Sequence, residues 1–158
     1  MQRAIHQYIE NRTFDEIAVG DQAQLIRTLK PNDIHLFAAM SGDVNPTHVD
    51  LEYARSSQFR EVVGHSMWGS TLFSSILGTE FPGPGTVYIA QSLKFWRPVS
   101  VGDTLTVTSR PGERWEKQGR RGGKLLFSES ITEYRNQDGV LCVTARSIGV
   151  QTERAVDQ

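Results

Sequence analysis

Between Met1 and Ile17, the apolar residues Ile5, Tyr8, Ile9 and Phe14 recur at nearly helical spacing, but Asn11-Arg12-Thr13 interrupts the pattern before a core element is complete. Residues 1–13 are therefore expected to be a short lead-in helix or arm. After the Gly20-Asp21 turn, Gln22 to Lys30 alternates weakly, with Leu25 and Leu29 on one side and Ile26 and Thr28 on the other, which predicts a first strand. Pro31 suits the first turn of a helix and Asp33 its positive end. Ile34, Phe37, Ala38 and Ser41 follow the helical period until Gly42, a natural left-handed cap, so a short amphipathic helix is expected over Ile34 to Ser41. Lys30 stands where a hydroxyl or carboxylate cap would be expected. A second short helix runs from Asp50 through Arg55, with Asp50 as N-cap and Leu51 and Ala54 facing inward.

His65 to Gly78 carries no charge, and its polar groups beyond His65 are hydroxyls. A helix that is apolar or small all round is a buried helix, placed here at about Met67 to Leu77. Phe81-Pro82-Gly83-Pro84-Gly85 closes it, and the period then changes to two. Val87, Ile89, Leu93 and Phe95 alternate with polar or small neighbours. Leu105 and Val107 alternate after Gly102-Asp103, Leu125, Phe127 and Ile131 before Asn136-Gln137-Asp138-Gly139, and Val140 to Val150 reads as the return strand of a hairpin. The pattern is α+β, an antiparallel sheet covering one buried helix.

A chain of 158 residues has room for one domain and one core. With 17 Lys and Arg against 18 Asp and Glu, the net charge is −1, so no global field attracts a polyanion and no nucleic-acid partner is expected. The single cysteine, Cys142, excludes a disulfide framework or a cysteine-based metal cluster within the chain, and a cytoplasmic location is expected. No apolar run reaches membrane-spanning length, and the Met1-Gln2-Arg3-Ala4-Ile5-His6-Gln7 opening lacks the apolar centre of a signal peptide, so no membrane association is expected.

Chemistry concentrates in Ser41-Gly42-Asp43-Val44-Asn45-Pro46-Thr47-His48, which sets a carboxylate, an amide and an imidazole just beyond a helix end. Pro46 fixes its own φ and keeps Asn45 out of the helical region, so Asp43 and His48 are held on a stiff backbone. A rigid acid and base sharing one water is a complete device for hydration. The same residues also suit an Asx turn and a hydrogen-bonded loop histidine, and both readings stand. His65-Ser66-Met67 precedes the buried helix, whose first N–H groups lie at the positive end of its dipole and suit an enolate-like oxyanion, although every helix has such an end. Ser74 either faces that site or bonds back to a carbonyl one turn earlier. Trp68, Phe73, Phe95 and Trp96 read as core or interface aromatics. Gly119 to Lys124 reads as a hairpin loop, with Arg120, Arg121 and Lys124 able to hold a phosphate.

The Ser41 to His48 motif, followed by His65-Ser66-Met67 and by Pro82-Gly83-Pro84-Gly85-Thr86-Val87-Tyr88-Ile89-Ala90-Gln91-Ser92-Leu93-Lys94-Phe95, resembles the (R)-specific enoyl-CoA hydratases of the MaoC-like dehydratase family. The resemblance covers about Phe14 to Val150, the hydratase domain then spanning 14–150 with 151–158 as a tail. Glu10 to Ile17 is similar to the opening of the hydratase-like domain fused to phosphate acyltransferases in some bacteria, and these 158 residues include no transferase domain. The resemblance implies a hot-dog fold, an antiparallel sheet wrapped around the long helix, and pairing into a homodimer with a continuous sheet. It implies that Asp43 and His48 activate water for addition to a trans-2-enoyl thioester, giving the (R)-3-hydroxyacyl thioester. Asn45 orients the loop, Ser74 stands near it, His65 supports the site, and the Ser66 N–H donates to the thioester oxygen. The carrier is coenzyme A or acyl carrier protein, and no metal or redox cofactor is implied.

Where the family has His-Gly-Met, this chain has His65-Ser66-Met67. Glycine permits a positive φ that strains a serine, whereas ordinary helix-start geometry tolerates serine and keeps its N–H donor; the second is expected. Two rival functions share the scaffold: acyl-CoA thioester hydrolysis, and acyl-CoA binding or assembly without catalysis. The Asp43, Asn45, His48 set favours hydration.

Overall fold

The computed structural model describes residues 16–152 apart from 19, 80–82, 84 and 121. The expected lead-in segment, most of the Glu10 to Ile17 opening, Arg121, and residues Phe81, Pro82 and Pro84 of the expected turn lie outside the described residues.

Among the described residues five strands form one antiparallel sheet: β1 (Ala23–Thr28), β2 (Val87–Phe95), β3 (Thr104–Gln118), β4 (Lys124–Arg135) and β5 (Leu141–Thr152), in the order β1-β3-β4-β5-β2. β5 runs two residues past the expected domain end at 150. β3 to β5 form a meander: Phe127 pairs with Trp115 on one side and Val150 on the other. The Asn136 to Gly139 turn behaves as its composition predicts, with Gly139 at φ 75° and the Asn136 carboxamide oxygen accepting from the Asp138 and Val140 N–H groups. A bulge between Pro111 and Arg114 lets proline sit inside a long strand, since proline cannot donate to a ladder.

Among the described residues four helices follow β1 in sequence, α1 (Pro31–Ser41), α2 (Pro46–Val49), α3 (Leu51–Ser56) and α4 (Ser66–Thr79), all lying before β2. α1 begins at Pro31, a turn earlier than expected. Lys30 supplies no cap; instead the Asp33 carboxylate reaches back to the Lys30 N–H at 2.9 Å and also pairs with Arg27 at 2.9 Å. The helix ends as predicted on Gly42, at φ 78°. Asp50 caps α3 through the N–H groups of Glu52 and Tyr53, and Ala54 points inward as expected, but Leu51 is half exposed.

α4 lies on the inner face of the sheet, with Trp68, Phe73, Ile76 and Leu77 packed with Leu105, Val107, Tyr134, Val143 and Ala145. This is the helix-in-sheet arrangement of the hot-dog fold. Burial of α4 is one-sided, however: Met67, Thr71 and Ser74 remain open to solvent. Composition alone does not distinguish a helix covered on all sides from one whose small hydroxyl face borders a groove. Phe95 and Trp96, unlike Trp68 and Phe73, lie at the surface rather than in the core.

Candidate functional site

The site forms where the α1–α2 loop meets the segment entering α4. The Val62 to Gly64 stretch is pinned to the sheet side by Gly64 N–H to the Val99 carbonyl at 2.7 Å, Val101 N–H to the Val62 carbonyl at 3.3 Å, and a bridge between Val63 and Ser100. Gly64 is required by space: a Cβ there would lie 2.5 Å from Leu29 Cδ2 and 3.2 Å from the Val99 carbonyl oxygen. The Val63 N–H in turn donates to the Thr47 carbonyl at 3.4 Å, clamping α2 against this stretch.

The loop carries its own supports. Asp43 Oδ1 accepts from the Asn45 N–H at 3.1 Å, and Asn45 Oδ1 accepts from the Thr47 N–H and hydroxyl at 3.1 and 2.9 Å, so Asn45 caps α2. Asp43 is therefore an Asx turn and an exposed carboxylate at once. The two readings of this residue are compatible, because the turn uses one oxygen and leaves the other open.

His48 Nδ1 lies 2.7 Å from the Val63 carbonyl oxygen. A carbonyl only accepts, so Nδ1 carries the hydrogen and neutral His48 presents Nε2 as a bare lone pair. His65, 3% exposed, donates from Nε2 to the Asp43 carbonyl at 2.9 Å. Its ring packs at a tilt against His48, 4.1 Å between centroids, and against Phe37 at 4.8 Å. His65 thus touches both the carboxylate-bearing residue and the imidazole, while its own Nδ1 is buried without a partner.

Asp43, His48 and His65 each place one ligating atom within 4.8 Å of the others, a donor set of the type that holds a metal. Yet the two imidazoles pack against each other at a tilt of 33° and each engages a carbonyl, an arrangement equally suited to aligning one histidine against another. Beside them α4 opens at Ser66, whose N–H belongs to the first turn and has no intrahelical acceptor. Arg60 is the only described non-glycine residue with a positive φ, so Ser66 has an ordinary backbone and no strain.

Two separate recesses flank the start of α4. One, about 230 Å³, is lined by His65, Ser66, Trp96, Arg97 and Pro98 among others. The other, about 340 Å³ and mostly apolar, runs along the open face of α4 past Phe37, Met67, Ser70, Ser74, Leu77 and Tyr88. Ser74 is in this groove and, among the described residues, makes no hydrogen bond to the helix, to Asp43 or to His48. At its far end the Tyr88 hydroxyl meets Ser147 at 3.2 Å. Burial raises the Tyr88 phenol above its usual range and the Ser147 bond opposes that rise, so the hydroxyl stays protonated.

Of the expected site residues, Asp43, Asn45, His48, His65 and Ser66 come together. Arg120 and Lys124 do not join them within the chain. Their turn follows β3 where Leu125 pairs with Thr152, at the end of the sheet near Gly149 and Leu77, whereas Ser66 lies beside Val143 and Phe95. The 14 residues of α4 separate the two ends, about 21 Å at the helical rise. Lys124 pairs instead with Glu116 at 3.3 Å. Sequence reasoning missed the Val63 carbonyl, Phe37 and Arg97. A backbone acceptor has no side-chain signature, Phe37 reads as one more apolar helix position, and Arg97 stands in no basic run.

The chain is similar to known proteins along most of its length. Residues 16–127 match the family model described as MaoC like domain. An (R)-specific enoyl-CoA hydratase of Rhodospirillum rubrum is 45% identical over 95 residues, 60% of this chain and 66% of the relative, so this match spans just under two thirds of the relative's length. A 3-hydroxybutyryl-CoA dehydratase of Methylorubrum extorquens is 37% identical over 126 residues, 80% of this chain and 79% of the relative. The R-hydratase PhaJ1 of Pseudomonas aeruginosa, in the unliganded form, superposes with a TM-score of 0.81 at 35% identity, covering 91% of this chain and 87% of that one. With a carboxylate and two histidines gathered at the start of the helix its sheet enfolds, and with a family model matched over most of its length, the chain belongs to the MaoC-like family.

Proposed function

We propose that the chain is an (R)-specific enoyl-CoA hydratase, adding water reversibly to a trans-2-enoyl thioester to give the (R)-3-hydroxyacyl thioester. The observation that carries this reading is the convergence of the open Asp43 carboxylate and the bare Nε2 of His48 at the Ser66 end of α4. Water held between the carboxylate and the imidazole loses a proton to one of them as its oxygen bonds to the β-carbon. The electron pair of the double bond moves toward the thioester carbonyl, and the α-carbon takes a proton from the same pair of groups. Enolate charge develops on the thioester oxygen, where the Ser66 N–H and the positive end of α4 are preorganised donors. Asn45 stiffens the loop and His65 holds the two functional side chains in register. The reaction transfers no electrons to a carrier, so these protein groups and water supply the chemistry. The apolar groove along α4 takes the acyl chain, and the recess on the other side of Ser66 takes the arm of the carrier.

β2 is an edge strand whose Val87, Tyr88 and Ile89 are exposed, and we assign it as the strand through which two copies form a continuous sheet. Among the described residues no helix is long and apolar enough to cross a membrane. A cytoplasmic setting fits the one cysteine, Cys142, buried as a free thiol.

Crotonyl-CoA tests the reading directly. Hydration removes the enoyl absorbance without releasing thiol, and chiral analysis returns the (R)-3-hydroxy product. Free thiol would instead indicate hydrolysis, and an unchanged substrate that still binds would reduce the chain to an acyl-CoA-binding domain.

A further inference from the structure

The groove along α4 changes character from one end to the other. On the inner face of the sheet, the cross-strand row of Tyr134, Val143 and Phe95 lies toward Ser66. Two rows further on come Ser130, Ser147 and Gln91, then Ser128, Gly149 and Tyr88, with Gly149 beside Leu77 near the other end of the helix. This polar half reaches the groove through two side chains of β2. Gln91 Nε2 donates to the Ser147 hydroxyl at 3.4 Å, and the Tyr88 hydroxyl meets the same oxygen at 3.2 Å. Tyr88 and Ser147 own two hydroxyl hydrogens, their mutual bond uses one, and Gln91 adds a donor rather than an acceptor, so among the described residues one O–H is left over. Ser70 of α4, 7% exposed, lines the same groove, and its hydroxyl has no partner. Behind Tyr88 the wholly buried Tyr134 hydroxyl has none either; burial, and then the neighbouring Tyr88, push its pKa up, so it stays a neutral donor. Among the described residues no charged side chain lines this groove.

We infer that the groove selects enoyl thioesters whose chain carries a neutral hydroxyl group beyond the double bond, with Ser70, Gln91 and the Tyr88–Ser147 pair as the specificity-determining residues; this rests on the hydratase reading of the neighbouring site. A hydroxyl both donates and accepts, so it takes the spare O–H of Ser70 or of the Tyr88–Ser147 pair and returns its own hydrogen to the Gln91 carboxamide oxygen. A plain alkyl chain laid along the same wall keeps water out and leaves those groups unpaired, which weakens its binding. A carboxylate is equally ill matched, because the groove holds no cation to pair with it. With the thioester oxygen at the Ser66 N–H, Ser70 stands about 6 Å further along the helix by its rise per residue. The recognised hydroxyl therefore sits several carbons beyond the reacting pair and is distinct from the one that hydration creates.

The test compares trans-2-hexenoyl-CoA and trans-2-octenoyl-CoA with their ω-hydroxy counterparts. In the wild type, kcat/KM for at least one hydroxylated chain is expected to exceed that of the plain chain of the same length by about tenfold or more, because only the hydroxylated chain pairs the groups on the wall. In Ser70→Ala, and in the double variant Tyr88→Phe, Ser147→Ala, that ratio is expected to fall by about threefold or more, with circular dichroism confirming that each variant is folded. A wild-type ratio near one at both lengths, a preference for the plain chains, or a preference for the hydroxylated chain that survives in both variants would overturn this specificity while leaving hydration intact. A wild type that hydrates none of the four thioesters would instead overturn the hydratase reading.

Discussion

Asp43 and His48 divide the work between groups whose other contacts are already committed: Asp43 Oδ1 serves the turn and His48 Nδ1 the Val63 carbonyl, leaving Oδ2 and Nε2 for water. Asp43→Asn and His48→Gln should therefore each lower kcat by about 10²- to 10⁴-fold, the range for general acid–base groups, with unchanged circular dichroism and melting. Near wild-type turnover by either folded variant would remove that residue from the mechanism. Ser66 makes the opposite case. Its backbone is unstrained, so Ser66→Gly should change kcat by less than the factor of about 10² expected when one oxyanion donor is deleted. It should also cost a few tenths of a kcal/mol, roughly, through added freedom in the unfolded chain. A large gain in turnover would mean that the serine side chain obstructs the site.

Among the elements, the stretch that enters α4 has the least room for change. Gly64 sits where a methyl group meets Leu29, itself wholly buried, and a backbone oxygen that already accepts the Gly64 N–H. Gly64→Ala should destabilise by about 1–3 kcal/mol, as overpacking does. It should also lower turnover, because the displaced backbone carries the Val63 carbonyl on one side and His65 on the other. Urea unfolding and crotonyl-CoA kinetics on the same preparation check both effects; a fully stable, fully active variant would show that the clamp is soft. The helices here were largely readable in the sequence, since Gly42 and Asp50 act as the stop and cap their chemistry predicts, although α1 starts at Pro31, a turn before the expected Ile34. The single turn of α2 was not, because four residues display no period.

For the whole molecule, the sheet ends on one side in β2, a nine-residue strand exposed along most of its length. An unpaired edge bearing Val87, Tyr88 and Ile89 is a template for a second copy. Light scattering should return a dimer at assay concentration, and dilution that dissociates it should cost activity in parallel. A monomer that is fully active would refute this assembly.

Local physics explains which features could be read from the sequence alone. Alternation after Thr86, the uncharged run from Ser66 to Leu77 and the turn residues between strands specify a sheet around a helix, because period and turn chemistry act over a few residues. The spacing of Asp43, Asn45, Pro46 and His48 likewise determined one rigid loop. Tertiary structure decided everything that depends on distant segments meeting. It set the Val63 carbonyl against His48 and His65 beneath both functional groups, and it left one face of α4 open as a groove. It also set Arg120 and Lys124 at the end of the sheet away from the start of α4, because a strand's two ends lie far apart in space and only the register of the sheet determines which end stands beside that helix start.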